Sequence, residues 1–313
     1  MTESIRVDAL PTRTWAHLGV NDAEVDWDGA AAVLLSDTAV TAQAGETKAP
    51  VRLTLTSGAP YGRHEVTVRA AENSRVDLVL CQTAAQPLHV RVHVEAAAGA
   101  AVRVLRLLQP KDGAPMRCEL SADCAEAAAL TLMSVLLGDG DIYDDQRIRL
   151  HGAGSRLTAD TAYLARRQDT VDYSICVEQT APNTESAIDV RGALFDAAKK
   201  TFRGTIDFQK GSAGSVGTEQ ETVLMLGDDV QNRSVPLILC AEEEVDGSHG
   251  ATIGTPDPQV LFYFAGRGVD AERAQRILAR AAVERLTNAT QDEAFTAAVL
   301  AALHEGTTGE ADG

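Results

Sequence analysis

Val90-Arg91-Val92-His93-Val94 is the stretch that best indicates how this chain folds. It alternates apolar and polar residues with a period of two, which is typical of a half-buried β-strand. The same alternation recurs in Val51-Arg52-Leu53-Thr54-Leu55 and in Val102-Arg103-Val104-Leu105-Arg106-Leu107. Gly-rich or acidic turns separate such stretches at intervals of roughly ten residues, as in sheet-rich folds. Further strands are predicted at residues 64–68, 76–80, 147–150, 187–190, 205–208 and 235–239.

The order of the strands narrows the fold class. No helical pattern lies between most of them, which disfavours an alternating βαβ sheet. A β-sandwich, an antiparallel barrel and a β-solenoid all remain open, because strand spacing alone does not distinguish them. Residues 1–45, which include Thr14-Trp15-Ala16-His17-Leu18, are predicted to form an irregular or partly helical N-terminal cap.

The C-terminal part has a different pattern. After the turn Thr255-Pro256-Asp257-Pro258, Asp270 is a plausible N-cap of a helix, and Thr290-Gln291-Asp292-Glu293 fits a capping box that opens a second helix. The predicted apolar positions of the two helices are Ala274, Ile277, Leu278, Ala281, Ala282 and Leu286, and then Phe295, Val299, Leu300 and Leu303. We therefore predict a β-rich core over residues 46–255, a helical region over 256–305 and a disordered tail over 306–313.

Composition excludes several classes of function. The chain has 313 residues, with 28 Lys and Arg against 45 Asp and Glu, a net charge of −17. Such a chain repels nucleic-acid backbones and anionic membrane surfaces. No apolar run has the length of a membrane span and no secretory signal is recognisable, so a cytoplasmic protein is expected. The 5 cysteines include no C-x-x-C pair, which argues against a disulfide framework and a conventional metal-ligand set within one chain.

The densest group of chemically capable side chains is Cys240-Ala241-Glu242-Glu243-Glu244-Val245-Asp246-Gly247-Ser248-His249-Gly250. If the strand that begins near Leu237 continues through Glu242, Cys240 and Glu242 share one face. Thiolate, carboxylate and imidazole can all bind iron, and a thiolate also suits sulfur transfer. The alternative is structural: Cys240 is a buried thiol, Glu242 lies in a solvated acidic turn and His249 is a core or capping residue.

Several motifs then resemble a known family. Ser248-His249-Gly250-Ala251-Thr252-Ile253-Gly254, followed by Leu261-Phe262-Tyr263-Phe264-Ala265-Gly266-Arg267-Gly268, resembles the SufD-type signature SHGATxG…LFYxxSRG. Upstream, Ala181-Pro182-Asn183-Thr184-Glu185-Ser186 and Phe202-Arg203-Gly204-Thr205-Ile206 are similar to other blocks of the same family. The chain thus resembles the SufB/SufD family of iron–sulfur cluster assembly proteins.

The resemblance implies a mainly β fold with an α-helical C-terminus, built on a right-handed parallel β-helix core. It implies a non-enzymatic scaffold that binds a SufC-type ATPase through residues 256–305. It also implies pairing with a SufB-like chain or with a second copy, and a nascent iron–sulfur cluster formed at that interface with sulfur from a separate donor. His249 occupies the position of the family's SufD-type histidine.

Two departures refine this interpretation. SufB-type chains carry a cysteine near the position of Glu221, so this chain is not an ordinary SufB. Cys240 lies in a Cys-x-Glu sequence, so one chain could supply both thiolate and imidazole, and we predict Cys240, Glu242 and His249 as cluster-binding and metal-binding residues. Two alternatives remain. One is a purely structural SufD-like partner. The other is a carbohydrate-active solenoid that uses Glu242 and Glu243, which an aromatic content of 4% disfavours.

Overall fold

The structure, a computed structural model, describes residues 3–14, 18–27, 32–58 and 61–305. Its strands are β1 (Glu3–Val7), β2 (Ala23–Trp27), β3 (Val33–Ala42), β4 (Val51–Thr56), β5 (Gly62–Ala70), β6 (Arg75–Ala84), β7 (Leu88–Ala96), β8 (Ala101–Pro110), β9 (Met116–Cys124), β10 (Ala129–Leu137), β11 (Ile142–Leu150), β12 (Arg156–Ala165), β13 (Thr170–Gln179), β14 (Glu185–Leu194), β15 (Lys199–Phe208), β16 (Ser215–Met225), β17 (Gln231–Cys240) and β18 (Val245–Gly254). Its helices are α1 (Pro258–Ala265), α2 (Ala271–Thr290) and α3 (Glu293–Glu305).

Strands β3 to β18 wind into a parallel β-solenoid. Odd-numbered strands form one 8-stranded sheet and even-numbered strands form another, in the described part of the chain. Each strand pairs in parallel with the strand two places further along, for example β14 with β16 and β15 with β17. One strand from each sheet makes one coil, and the apolar inward residues of both sheets fill the space between them. The predicted β-helix core is thereby confirmed, and the sandwich and barrel are excluded.

The backbone conformation at the corners of the coils explains why glycine and asparagine occur in the turns between strands. Each corner from an odd strand to the next even strand, from β5–β6 to β15–β16, has at least one residue in the left-handed backbone region, and the β15–β16 corner has two. Glycine enters that region without steric penalty and asparagine at a low one, which makes them suitable corner residues. Asn183 (φ 55°), from the motif that resembles the family, is such a corner. The corner residues with a positive φ are Asn73, Gly99, Ala127, Gly154, Asn183, Gly211 and Gly214.

Helices α2 and α3 pack on the outer face of the even-strand sheet. Asp270 caps α2 by accepting a hydrogen bond from the backbone N–H of Arg273, as predicted. The buried face of α2 differs from the predicted stripe: Ile277 is 42% exposed, whereas Val283 is fully buried. The helices and the sheet share a second apolar core of Val79, Leu105, Leu107, Val135, Leu137, Ala162, Leu164, Ala193, Ala279, Val283, Leu286, Phe295, Val299, Ala302 and Leu303.

The junction between α2 and α3 corrects the predicted capping box. Thr290 is the last residue of α2 instead of a cap, and its hydroxyl donates to the carbonyl of Thr287. Asp292 caps α3 instead, accepting from the backbone N–H of Phe295 at 2.9 Å. Asp292 also pairs with Arg52 on β4 at 2.8 Å, which ties the junction to the even-strand sheet.

The N-terminal part differs from the expected irregular or partly helical cap. Strands β1 and β2 pair antiparallel, and the solenoid already begins with β3, inside residues 1–45. Leu10 and Val20 pack against Val235 on the outer face of the odd-strand sheet. Trp15 to His17 of the predicted motif and the tail 306–313 lie outside the described residues. Within the described chain, no helix combines the length and apolar character needed to cross a membrane.

Candidate functional site

The C-terminal end of the solenoid brings the predicted site residues to two sheet edges. β17 is the last strand of the odd-strand sheet and β18 is the last strand of the even-strand sheet, so among the described residues each is paired on one side only. Cys240 is the final residue of β17, and His249 lies in the middle of β18. We call the edge that β17 and β18 form the open end.

Both side chains occupy inward positions of their strands. His249 is in register with Glu219 of β16, and Cys240 is in register with Phe208 of β15. Glu219 and Phe208 are buried inside the coil, and residues in register on neighbouring parallel strands share a face. His249 and Cys240 are nevertheless exposed, because no described strand covers the open end. An imidazole and a thiol therefore face the same uncovered end of the stack from two different sheets.

Cys240 is the exposed thiol of the chain, so its interpretation as a buried core thiol is wrong. The other cysteines are half-buried (Cys81 and Cys176) or buried (Cys118 and Cys124). Burial raises the pKa of the Cys124 and Cys176 thiols to about 12, which keeps both protonated and unreactive at neutral pH. Cys240 is therefore the most accessible cysteine of the chain.

Glu242 lies in the turn that follows β17 and takes part in its hydrogen bonding. β17 ends at Cys240, so the strand does not continue through Glu242, and that part of the prediction is wrong. The Glu242 carboxylate accepts hydrogen bonds from the backbone N–H groups of Gly211 and Glu243, both at 3.0 Å. The hydrogen bond from Gly211 is the main reason why the Glu242 pKa is lowered. The residue stabilises the turn between β17 and β18.

The three predicted residues do not form a ready metal site in the isolated chain. No group of three His, Cys, Asp or Glu side chains is arranged to hold a metal ion among the described residues. Cys240 and His249 are exposed at the open end, and each oxygen of the Glu242 carboxylate accepts one hydrogen bond from a backbone N–H group.

A buried charged group beneath the open end was missed from the sequence. Lys200 forms an ion pair with Glu221, and it also donates to Asn232 (2.9 Å) and Ser234 (3.2 Å) of β17. Glu219 lies two residues before Glu221 on the same inward face of β16. The sequence Thr218-Glu219-Gln220-Glu221-Thr222-Val223 could have indicated this group. Glu219 and Glu221 lie four and two residues before Val223, so in a strand they share its inward face.

Lys200, Glu221 and Glu219 differ in how burial affects their charges. Lys200 and Glu221 have almost no exposed side-chain surface, and burial lowers the Lys200 pKa. Burial, and then repulsion from Glu221, raise the Glu219 pKa to about 8. Glu219 therefore keeps its proton at neutral pH. In the neighbouring ion pair, the positive charge of Lys200 and the negative charge of Glu221 offset each other.

The family of the chain follows from the matched region. Residues 54–282 match the family model described as the SufBD core domain of SUF-system FeS cluster assembly. The chain belongs to the SufBD family. The match covers most of the solenoid and most of α2, and it includes Cys240, Glu219 and His249. The family places this SufBD protein in iron–sulfur cluster assembly.

Individual relatives agree with the family. The iron–sulfur cluster assembly protein SufD of Bacillus subtilis is 27% identical over 143 residues, which is 46% of this chain and 33% of that protein. SufD of Escherichia coli is 25% identical over 187 residues, 60% of this chain and 44% of that protein. SufB of Bacillus subtilis is 23% identical over 138 residues, 44% of this chain and 30% of that protein. This SufBD chain spans less than half the length of each of these relatives.

Proposed function

We propose that this chain is a non-enzymatic scaffold on which an iron–sulfur cluster is assembled at the open end. Iron and sulfur are the cargo, and the sulfur comes from a separate donor. The observation that supports this proposal best is the exposure of Cys240 and His249 on inward positions of the two terminal strands. A thiolate and an imidazole facing one uncovered end are suitable ligands for iron or a nascent cluster.

The open end also suits pairing with a SufB-like chain or with a second copy. A terminal strand presents unpaired backbone N–H and C=O groups, which another strand can pair with. A partner docked on β17 and β18 would cover Cys240 and His249 and could supply the ligands that this chain lacks. The absence of a three-ligand group among the described residues is consistent with a site completed by two chains.

The helical region supports docking of a SufC-type ATPase. Large apolar side chains of α1 are exposed, with Phe262 at 80% and Tyr263 at 54%. The guanidinium of Arg267 lies 3.4 Å from the centre of the Tyr263 ring, which gives the patch a positive rim. Exposed apolar groups with a polar rim are typical of protein interaction surfaces. ATP hydrolysis would then reside in the partner, and the complex would act in the cytoplasm.

The test uses cluster loading together with partner binding. The chain is co-expressed with a SufC-type ATPase, purified without oxygen and supplied with iron and a sulfur donor. Cys240→Ser and His249→Ala are expected to abolish cluster absorbance while the ATPase still co-purifies. Cys81→Ser, at a half-buried thiol remote from the open end, is the matched control and should load normally. Wild-type loading by both Cys240→Ser and His249→Ala would refute the site.

A second candidate function, a purely structural SufD-like partner, is favoured by one observation. No three His, Cys, Asp or Glu side chains among the described residues are arranged to hold a metal ion, so Cys240, Glu242 and His249 do not form a ligand set in this chain alone. Alkylation of Cys240 separates the two functions. Both expect rapid labelling of the exposed thiol in the isolated chain, but only the scaffold expects the assembled complex to bury it and slow the reaction. Native mass spectrometry of the complex purified from the host then shows whether the partner is a SufB-like chain or a second copy.

A further inference from the structure

The N-terminal segment lies across the outer face of the odd-strand sheet. We call the described residues up to Trp27, which contain β1 and β2, the N-terminal strap. Its apolar side chains Leu10 and Val20 pack against Val235 of β17. The Trp27 indole meets the His89 ring of β7 edge-on, with 6.1 Å between the ring centres. The strap therefore reaches from β7 to the last strand of the sheet.

A buried ion pair of the sheet lies beneath the strap. Arg203 of β15 pairs with Asp172 of β13, and both side chains are almost fully buried. The Arg203 guanidinium also donates a hydrogen bond to the backbone carbonyl of Val20 in the strap, at 2.6 Å. Asp8 of the strap, which is 2% exposed, brings a second carboxyl within hydrogen-bonding reach of Asp172. Two carboxyls and one guanidinium therefore meet where the strap contacts the sheet.

The charges at this contact do not balance when every group is ionised. Arg203 offsets the charge of Asp172. The neighbouring Asp145 pairs with Arg147 at 3.1 Å, so the charge of Asp8 is left unmatched. Among the described residues, Oδ2 of Asp8 has no hydrogen-bond partner. A buried carboxylate in this situation is unfavourable, whereas a protonated carboxyl can donate a hydrogen bond to a second carboxylate. Asp8 therefore fits this contact with its proton.

The surroundings of Asp8 favour its protonated form. Burial, and then repulsion from Asp172, raise the pKa of Asp8, and the opposing effect of Arg203 is smaller. The ionisable groups that interact with Asp8 are Cys118 of β9, Tyr143, Asp145 and Arg147 of β11, Asp172 of β13 and Arg203 of β15.

A cavity of about 500 Å³ beside Asp8 provides a path for protons. Asp8 lines it, so the carboxyl can exchange its proton without unfolding of the sheet. The remaining charged or titratable side chains of the outer face that line the cavity each have an ion-pair partner other than Asp8, so they leave its charge unmatched. They are Arg6, Glu65, Arg91, His93, Arg117 and Glu119.

We propose that Asp8 controls the attachment of the N-terminal strap: with its proton it donates a hydrogen bond to Asp172 and holds the strap on the sheet, and its ionisation releases the strap. Release uncovers the outer face of β17, where Leu10 and Val20 pack against Val235. The inference goes beyond the proposed function and does not depend on it, because no iron, sulfur or partner chain takes part.

The direction of the pH dependence follows from linkage. In the released strap, Asp8 ionises near its usual pKa of 3.8, whereas the docked strap retains the proton to higher pH. Docking is therefore strongest below that pH and weakens as pH rises, until the docked carboxyl also ionises. Because one proton is involved, the docking equilibrium constant falls by up to about tenfold per pH unit within this range.

The test is hydrogen exchange of the full chain, measured by mass spectrometry at several pH values. Peptides from the strap report its release, and peptides from β13 and β15 report the sheet beneath it. Asp8→Asn keeps a hydrogen-bond donor for Asp172 but has no titratable proton, and asparagine tolerates the φ of 55° at this position. Its strap amides should become better protected than those of the wild type as pH rises, by up to about tenfold per pH unit. Comparison at the same pH cancels the intrinsic pH dependence of exchange.

Two further variants sharpen the test. Asp22→Asn is the matched control, because Asp22 is a partly exposed carboxylate of the same strap, 3.9 Å from Arg6, and the variant should exchange like the wild type at every pH. Asp172→Asn leaves Asp8 as the carboxyl that Arg203 offsets, so its strap should also lose most of the pH dependence. Protection of β13 and β15 in each variant verifies that it is folded.

Three results would overturn the proposal. The first is strap protection in Asp8→Asn that equals or falls below that of the wild type across the pH range. The second is an equal change in Asp22→Asn, which would assign the effect to the overall charge of the strap. The third is exchange of the strap and of β13 at the same rate in the wild type, which would mean that the strap does not open separately from the sheet.

Discussion

Replacing Glu219 by glutamine should change how the stability of the protein depends on pH. The pKa of Glu219 is raised from 4.5 to about 8 in the folded chain, mainly by burial and then by repulsion from Glu221. In the unfolded chain the same carboxyl ionises near its usual value. Below pH 4.5 both states are protonated, and Glu219 imposes no penalty.

The size and sign of the effect follow from linkage. Between pH 4.5 and about 8 the unfolded chain releases the proton while the folded chain retains it, so the free energy of unfolding falls as pH rises. The expected slope is about 1.4 kcal/mol per pH unit, which accumulates to about 4 kcal/mol by pH 8. Above pH 8 the folded carboxyl also ionises and the penalty stays constant. Glutamine carries no titratable proton, so Glu219→Gln should lose this contribution.

The assay is guanidinium denaturation of the wild type and of Glu219→Gln at several pH values between 4.5 and 9, at fixed ionic strength. The difference in unfolding free energy between the two proteins cancels the contributions of other titrating groups. We expect Glu219→Gln to become increasingly more stable than the wild type as pH rises. Parallel pH profiles for the two proteins would refute the assignment of a raised pKa to Glu219.

Two further predictions concern stability. Lys200→Met should lower the free energy of unfolding by about 3–5 kcal/mol, because it leaves the Glu221 carboxylate buried without its cation. Adding Glu221→Leu should recover most of that loss, as measured by chemical denaturation. A double variant as unstable as the single one would contradict this. Phe295 is 1% exposed, and Phe295→Ala should lower the free energy of unfolding by about 3–5 kcal/mol. Phe262 is 80% exposed, and Phe262→Ala should leave the melting temperature unchanged. Equal shifts of the melting temperature in the two variants would contradict the described packing.

The solenoid could be predicted from the sequence to a large extent. Alternating stretches such as Val102-Arg103-Val104-Leu105-Arg106-Leu107 located the strands, but their spacing did not reveal which strands pair. The choice of a solenoid depended on the family motifs, because parallel pairing between strands two places apart leaves no local signature. Helix α1 was not predicted, since its short apolar run of Val260-Leu261-Phe262-Tyr263-Phe264 has no helical periodicity and buries no residue.

The candidate site was predictable in part. His249 and Cys240 lie at the open end as inward residues of terminal strands, but the end of β17 at Cys240 could not be read from an acidic stretch. The hydrogen bonds that the Glu242 carboxylate accepts from backbone N–H groups in the turn could not be predicted either, because they depend on where β17 ends. Glu219 was missed because a glutamate in an alternating segment normally indicates the solvent face, and only the pairing of β16 with β18 places it beneath His249.

The stacking of coils has a consequence for local stability along the chain. In a solenoid each coil contacts only its neighbours, so opening can start at an end without disturbing the middle. β17 and β18 form the terminal coil, and among the described strands nothing stacks beyond them. Lys200 offsets this by joining β15 to Glu221 of β16 and to Asn232 and Ser234 of β17. Amide hydrogens of β18 should therefore exchange with solvent sooner than those of β16, and occupation of the open end should slow that exchange.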